Sequence, residues 1–394
     1  MASVVLGVTG GIAAYKSAEL ASQLRKAGHD VFVIMTRHAT EFIAPLTFET
    51  LTNHPVVVEM FNRQTPWEVE HISLAKRADV FVVAPASANF LGKYANGIAD
   101  DMLSTTVLAT KAPVVLAPAM NTNMWANPIV QKNVQILQQY GVTMVGPGSG
   151  FLACGDVGSG RMSEPCEIVE AVHDALTEKD LLGKKVVVTA GPTREAVDPV
   201  RYITNHSSGK MGYAIAQAAK RRGAEVMLIH GPVNLPVPFG VTERQITSTQ
   251  DMLEAVKDAF AGCDLLIMAA APADFTMQEQ SEHKIKKNGD EPVCWHLKQT
   301  RDILGTVTQE KQHQVVVGFA AETQNVQAYA EDKLKRKKMD MIVANDVTQK
   351  GAGFGTDTNI ITVVHKDGRV MPHDLASKEA IAGFILDQAK EYFQ

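Results

Sequence analysis

From its first residues the chain alternates short apolar, β-branched runs with segments of helical period, and that rhythm constrains its fold more than any other feature. Val4 to Val8 reads as a strand, Ile12 to Ala27 as a helix and Asp30 to Met35 as a second strand. Runs without polar alternation are strands buried on both faces, the mark of a parallel sheet with crossover helices. Asp79 to Ala84 and Pro113 to Leu116 continue the pattern as strands, and Ile129 to Tyr140 as a helix closed by Gly141. The pattern predicts a doubly wound α/β domain. With 394 residues the chain exceeds the roughly 250 to 300 that one core holds, so a second domain is expected.

Between Gly146 and Pro165 the chain reads GPGSGFLACGDVGSGRMSEP, too long and too glycine-rich for an ordinary connection and therefore expected to be a lid. A helix from Cys166 to about Thr177 follows, and the polar EKDLLGKK segment ends one set of elements. The expected domains are residues 1–181 and 182–394. In the second, strands are expected at Lys185 to Thr189, Glu225 to His230, Asp264 to Ala270, Val315 to Phe319 and Met341 to Ala344. Asn359 to Val364, the turn residues Asp367 and Gly368, and Arg369 to Met371 predict a terminal β-hairpin before a helix from Leu375 to Phe393. The expected fold class is α/β, with two doubly wound Rossmann-like domains.

Composition narrows the function classes. A chain 45% hydrophobic and 21% charged is an ordinary globular one. Its net charge of −5 leaves no domain-sized basic field, so nucleic acid is not an expected partner. The four cysteines, Cys154, Cys166, Cys263 and Cys294, form no C-x-x-C pair, which points to a reduced compartment. The N-terminus has no basic region ahead of an apolar stretch, and eighteen consecutive apolar residues occur nowhere, so a cytoplasmic protein without membrane partners is expected.

Three strand ends carry unusual residue sets. In GVTGGIAAYK, Gly10 and Gly11 stand where strand becomes helix and offer backbone N–H groups to an anion. The segment is neither G-x-G-x-x-G nor Walker A. Pro85 to Asn89 and Pro118 to Asn121, with Met124 and Trp125 following, end two more strands. Ligands of open α/β sheets bind outside the carboxyl ends of the strands, so the three loops are expected to converge on one crevice.

These motifs resemble those of the flavin-dependent cysteine decarboxylases, flavodoxin-like proteins that bind FMN. His71, in EHISLAKRADV, falls where that family has its histidine, and the segment from Ala153 through Cys154 to Met162 resembles the substrate clamp of the phosphopantothenoylcysteine decarboxylases. The second half has an independent resemblance. TAGPTREAVDPVRYITNHSSGKMG, AAAPADF, KIKK and VVGFAAET are similar to the motifs of phosphopantothenate-cysteine ligases, and fusion in this order resembles the bifunctional enzymes of coenzyme A synthesis.

The resemblance implies two activities. Cysteine would be joined to 4'-phosphopantothenate through an acyl-cytidylate made from CTP with Mg2+, and the product then decarboxylated to 4'-phosphopantetheine, FMN oxidising the CH2–SH group to a C=S group that takes up the electrons left by CO2. It implies that Cys154 is the late proton donor, that His71 assists oxidation and decarboxylation, and that Asn121 binds the substrate carboxylate. Gly10, Gly11, Thr36, Ser87, Ala88 and Asn89 would hold FMN. For CTP it implies Ala270, Asp274, Arg301, Asp302, Ile303, Leu304, Phe319, Lys333 and Lys337, with Lys284 disperse charge during activation and Asn205 serving the acyl-nucleotide. No metal ligands are implied by residue. Arg301 stands where the family commonly has proline, and Pro272 replaces a frequent valine. The resemblance also implies a homo-oligomer, trimeric through the first half and dimeric through the second, giving a dodecamer.

Overall fold

The computed structural model describes residues 1–61, 69–152, 155–286, 293–322, 332–346, 353 and 355–393. The chain forms two compact units, Met1–Thr177 and Glu178–Gln394.

In the first unit, β1 (Ser3–Val8), β2 (Asp30–Met35), β3 (Val80–Ala86), β4 (Val114–Pro118) and β5 (Thr143–Met144) form one sheet in the order β2-β1-β3-β4-β5. All its pairings are parallel. This is the flavodoxin-like order, whose direction of winding reverses between β1 and β3. The apolar runs are continuous because each strand feeds two cores. Val4, Leu6 and Val8 of β1 pack on one face with Leu20 and Ile168, whereas Val5 packs on the other with Phe81, Leu103 and Leu116. The first helix spans Ala14–Lys26 and not the expected Ile12 to Ala27, because residues 10–13 form the turn that leaves β1. The expected lid contains an antiparallel hairpin of β6 (Gly148–Phe151) and β7 (Val157–Arg161). Cys154 lies outside the described residues.

The second unit pairs β8 (Lys185–Ala190), β11 (Glu225–His230), β12 (Thr242–Gln245), β13 (Leu265–Met268), β16 (Val315–Glu322), β17 (Met341–Asp346), β18 (Thr358–His365) and β19 (Val370–Ser377). The order is β12-β11-β8-β13-β16-β17-β18-β19. Numbered within the unit, its parallel part runs 3-2-1-4-5-6, the Rossmann arrangement, with the switch between β8 and β13. Two further hairpin pairs, β9 (Arg194–Ala196) with β10 (Tyr202–Thr204) and β14 (Phe275–Met277) with β15 (Leu297–Gln299), stand apart from this sheet. The terminal hairpin is present, but its second strand is longer than expected. Leu375 to Ser377 belong to β19, with Ser377 paired to Thr358, and the last helix is Lys378–Lys390. Ser377 caps that helix by accepting the N–H of Ala380 at 3.2 Å, which is why the helix begins after it. No helix among the described residues is long and apolar enough to cross a membrane.

Candidate active sites

At the switch point of the first unit the ends of β1 and β3 are tied together. Thr9 Oγ1 donates to the Pro85 carbonyl at 2.7 Å and accepts the Ser87 N–H at 3.1 Å. The chain leaves β1 through Gly10, where a Cβ would lie 2.4 Å from His38 Cβ, while Gly11 faces open space. Ser87 then caps the helix Ala88–Ala95 by accepting the Phe90 N–H at 3.4 Å. Thr36 does the same at the end of β2, accepting from Ala39 at 3.2 Å. A cavity of about 700 Å³ opens between them. Gly10, Gly11, Thr36, Ser87, Ala88 and Asn89 all line it, and Met35, Phe90, Met102 and Met120 form apolar wall. Glycine turn, helix N-terminus, hydroxyls and apolar wall together suit a ligand with an anionic end and a flat apolar ring.

His71 and Asn121 are not in the lining of that cavity. His71 is the second residue of the helix Glu70–Arg77. Asn121 follows the lining residue Met120 and is tied to the hairpin, its Nδ2 donating to Asp156 Oδ2 at 2.9 Å. The hairpin itself crosses close to the strand end: Met120 N–H donates to the Gly160 carbonyl at 3.0 Å, and a Cβ on Gly160, with φ +148°, would lie 2.2 Å from the Met120 oxygen. Only glycine allows that approach. Lys16 Nζ and Arg161 Nη2 hold Glu164 at the base of the hairpin, at 2.9 and 2.8 Å.

In the second unit a cavity of about 480 Å³ lies at the carboxyl ends of β13 and β16. Ala270, Asp274, Arg301, Asp302, Ile303, Leu304, Phe319, Lys333 and Lys337 line it. Lys337 Nζ donates to Asp302 Oδ1 at 2.9 Å, and the Gly305 N–H donates to the same oxygen at 3.0 Å. Burial pushes the Asp302 carboxyl up, but Lys337 and this N–H outweigh it and hold the group below its usual range. Lys333 donates to the Phe319 carbonyl at 2.9 Å. Three cations, Arg301, Lys333 and Lys337, thus border one cavity.

Asn205 and Lys284 are not in its lining. Asn205 is near the edge: its Nδ2 donates to the carbonyls of Ala271 and Pro272 at 3.1 and 3.0 Å. Lys284 is exposed on a separate loop. Among the described residues no group of three or more His, Cys, Asp and Glu could hold a metal ion.

Sequence reasoning overlooked the supports. Glu195 Oε1 accepts both the N–H and the hydroxyl of Thr249 at 2.8 Å, and Thr193 Oγ1 accepts the Ala273 N–H at 2.9 Å. This buried network fixes the residue before Asp274. Its only sequence signal is a pair of polar residues, Thr193 and Glu195, just beyond an apolar strand.

Comparison with known proteins accounts for both units. Residues 1–177 match the Flavoprotein family, and residues 181–392 match the DNA/pantothenate metabolism flavoprotein C-terminal domain. The Coenzyme A biosynthesis bifunctional protein CoaBC of Bacillus subtilis is 49% identical over 390 residues, covering 98% of this chain and 96% of that protein. Its counterpart in Haemophilus influenzae is 48% identical over 393 residues, with coverage of 99% and 98%. Among solved structures, the C-terminal domain of a CoaBC is 44% identical with a TM-score of 0.47, covering 54% of this chain and 97% of that one. A PPC decarboxylase variant complexed with pantothenoylaminoethenethiol is 33% identical with a TM-score of 0.40, covering 43% and 96%. With two flavoprotein-family halves in one chain and near full-length identity approaching one half, the chain belongs to the CoaBC family of bifunctional coenzyme A biosynthesis proteins.

Proposed function

We propose that the second unit ligates cysteine to 4'-phosphopantothenate through an acyl-cytidylate, using CTP, and that the first decarboxylates the resulting 4'-phosphopantothenoylcysteine to 4'-phosphopantetheine with FMN. The observation that carries this reading is the convergence of Gly10–Gly11, Ser87–Asn89 and Met120 on one cavity at the β1/β3 switch point.

In the first unit, Gly10 and Gly11 offer N–H groups to the FMN phosphate, and Thr36, Ser87 and Asn89 offer side-chain hydrogen bonds to phosphate or ribityl oxygens. FMN, when bound, would supply reversible two-electron oxidation of the cysteinyl CH2–SH, so that the electron pair left by departing CO2 has a C=S group to enter. Asn121 binds the substrate carboxylate, and His71 assists the oxidation and decarboxylation half. Cys154, brought in by the hairpin, donates the proton that completes the product.

In the second unit Arg301, Lys333 and Lys337 face the triphosphate, while Ala270, Asp274, the backbone of 301–304 and Phe319 bind the rest of CTP. Mg2+ would be held mainly by the triphosphate, since this ion is usually bound as much by substrate phosphates as by carboxylates. Lys284 neutralises charge as pyrophosphate leaves, and Asn205 acts on the acyl-cytidylate before cysteine attacks.

The reading also makes the chain a cytoplasmic homo-oligomer, a dodecamer built from trimers of the first unit and dimers of the second. Tyr15 and Leu46, 59% and 69% exposed, are apolar surface available for such contacts. Incubation with 4'-phosphopantothenate, CTP, Mg2+ and cysteine tests the function: pyrophosphate, CO2 and 4'-phosphopantetheine should appear, and the protein should show a flavin absorption spectrum. A colourless protein that leaves CTP intact under these conditions would sink the reading.

A further inference from the structure

The loop carrying Lys284 is held on both sides of that residue by one turn. Upstream, the Ser281 N–H donates to the Val197 carbonyl at 3.2 Å. Downstream, the Ile285 N–H donates to Asp198 Oδ2 at 3.1 Å, and the Ile285 carbonyl accepts from Arg201 Nη2 at 2.5 Å. Both backbone polar groups of the residue after Lys284 are thus engaged by one ion pair.

Asp198 is at the centre of this clamp, and its side chain is fully buried. Its two oxygens divide the work. Oδ1 accepts the N–H groups of Val200 and Arg201, each at 2.8 Å, and so shapes the turn. Oδ2 accepts from Ile285 and from Arg201 Nε at 3.0 Å, and so holds the loop. Burial raises the carboxyl's pKa, but the N–H donors of Val200, Ile285 and Arg201 and the Arg201 side chain outweigh it and hold the group at about 2. The anion is therefore present at any working pH. From Arg201 the chain runs directly through β10 to Asn205, which is bonded to the carbonyls at the edge of the nucleotide cavity.

We propose that Asp198 is a positioning residue for acyl-cytidylate formation, holding the Lys284 loop through Ile285 and Arg201 in fixed relation to the Asn205 segment. This rests on the reading of the second unit as a CTP-dependent ligase. The physical need is plain: an exposed lysine has four rotatable bonds, and its amine meets a leaving pyrophosphate reproducibly only if its backbone is fixed. An asparagine at 198 preserves one acceptor for the turn and turns an NH2 towards the Ile285 N–H and the guanidinium. The loop would be released while the turn remained.

The test uses the full chain and follows pyrophosphate release from CTP with 4'-phosphopantothenate, cysteine omitted. Wild type, Asp198→Asn, Lys284→Gln and the double variant are compared. Asp198→Asn should be slower by about 10- to 100-fold, and the double variant no slower than Lys284→Gln alone, because both substitutions remove the same contribution. Multiplying effects in the double variant, wild-type rates in Asp198→Asn, or wild-type rates in Lys284→Gln would each overturn the proposal. Should Asp198→Asn fail to fold, amide hydrogen exchange in the wild-type chain decides. Strong protection of the Ile285 amide supports the clamp, and exchange at the unprotected rate refutes it. A wild-type chain that releases no pyrophosphate would refute the ligase reading instead, and with it the catalytic purpose of the clamp, whatever the exchange result.

Discussion

At Gly10 the absent side chain matters as much as any present one. An added Cβ would meet His38 Cβ at 2.4 Å and its carbonyl carbon at 2.9 Å, so Gly10→Ala must displace the turn between β1 and the first helix. The shift should weaken flavin binding by about tenfold or more, since overpacking of this kind costs about 1–3 kcal/mol. A variant purified with its full complement of flavin would show that the turn is no part of the phosphate cradle. Asn205 allows a second test. Its amide donates to two carbonyl oxygens, and Asn205→Asp sets a carboxylate against both, so the side chain must turn away. If Asn205 acts after activation, this variant should still consume CTP and should accumulate acyl-cytidylate, as mass spectrometry of quenched reactions would reveal. Absence of the intermediate would move Asn205 to the activation step. Ser87 and Asn89 were legible as candidates because polar residues directly after an apolar strand mark a strand end, whereas Asp302 was legible only through the family resemblance of its segment. Distance was not legible: nothing in the chain's order says that Lys284 stands outside the cavity lining while Lys333 and Lys337 stand in it.

Elements show the same division. The hairpin of β6 and β7 was expected as a lid from its glycines, but its fastening at the base was not, because Lys16 and Glu164 are 148 residues apart. Lys16 is nine-tenths buried, and a buried ammonium needs its partner. Its hydrogen bond to Lys16 is the largest influence holding the Glu164 carboxyl below its ordinary 4.5, with Arg161 adding to it. A lowered carboxylate stabilises the fold fully above its unfolded value, and that contribution disappears as pH falls through the folded one. Glu164→Gln should therefore lower the melting temperature of the first unit at pH 7 only modestly, by up to about 1 kcal/mol, because Glu164 is half exposed and solvent screens its pairing with Lys16. The difference from wild type should begin to narrow as pH falls below 4.5 and go on closing through the lowered folded value, and a gap of constant size down to pH 3 would refute the linkage. The misplaced start of the last helix has a local cause: Leu375 and Ala376 suit either period, and only pairing of β19 with β18 selects the strand.

At the scale of the whole molecule the question is where one unit ends. The polar EKDLLGKK segment suggests a division after residue 181, whereas the compact units part between Thr177 and Glu178. The intervening residues have partners in the second unit. Leu181 is 0% exposed within its core, and Asp180 accepts from Arg222 at 2.7 and 2.6 Å and from Lys390 at 2.6 Å. We propose that fragment 178–394 is more stable than fragment 182–394, by about 2–5 kcal/mol, chiefly for the lost leucine, since Arg222 loses Asp180 but keeps Asp387 at 2.8 Å. Thermal melts of the two fragments would measure it, and equal melting temperatures would refute it. Fragment 1–177 should fold and bind flavin alone.

Apolar runs free of polar alternation determined the buried parallel strands at the centre of both sheets, since such strands have no solvent face to offer, and the polar residues at their ends determined where ligands would be sought. Those are short-range facts, written in neighbouring residues. Which strand lies beside which, the reach of Asp198 across to Ile285, and the closing of Lys16 onto Glu164 were decided only by the tertiary structure. Contacts between distant segments depend on how the sheets twist and pack, and no local pattern of residues encodes that geometry.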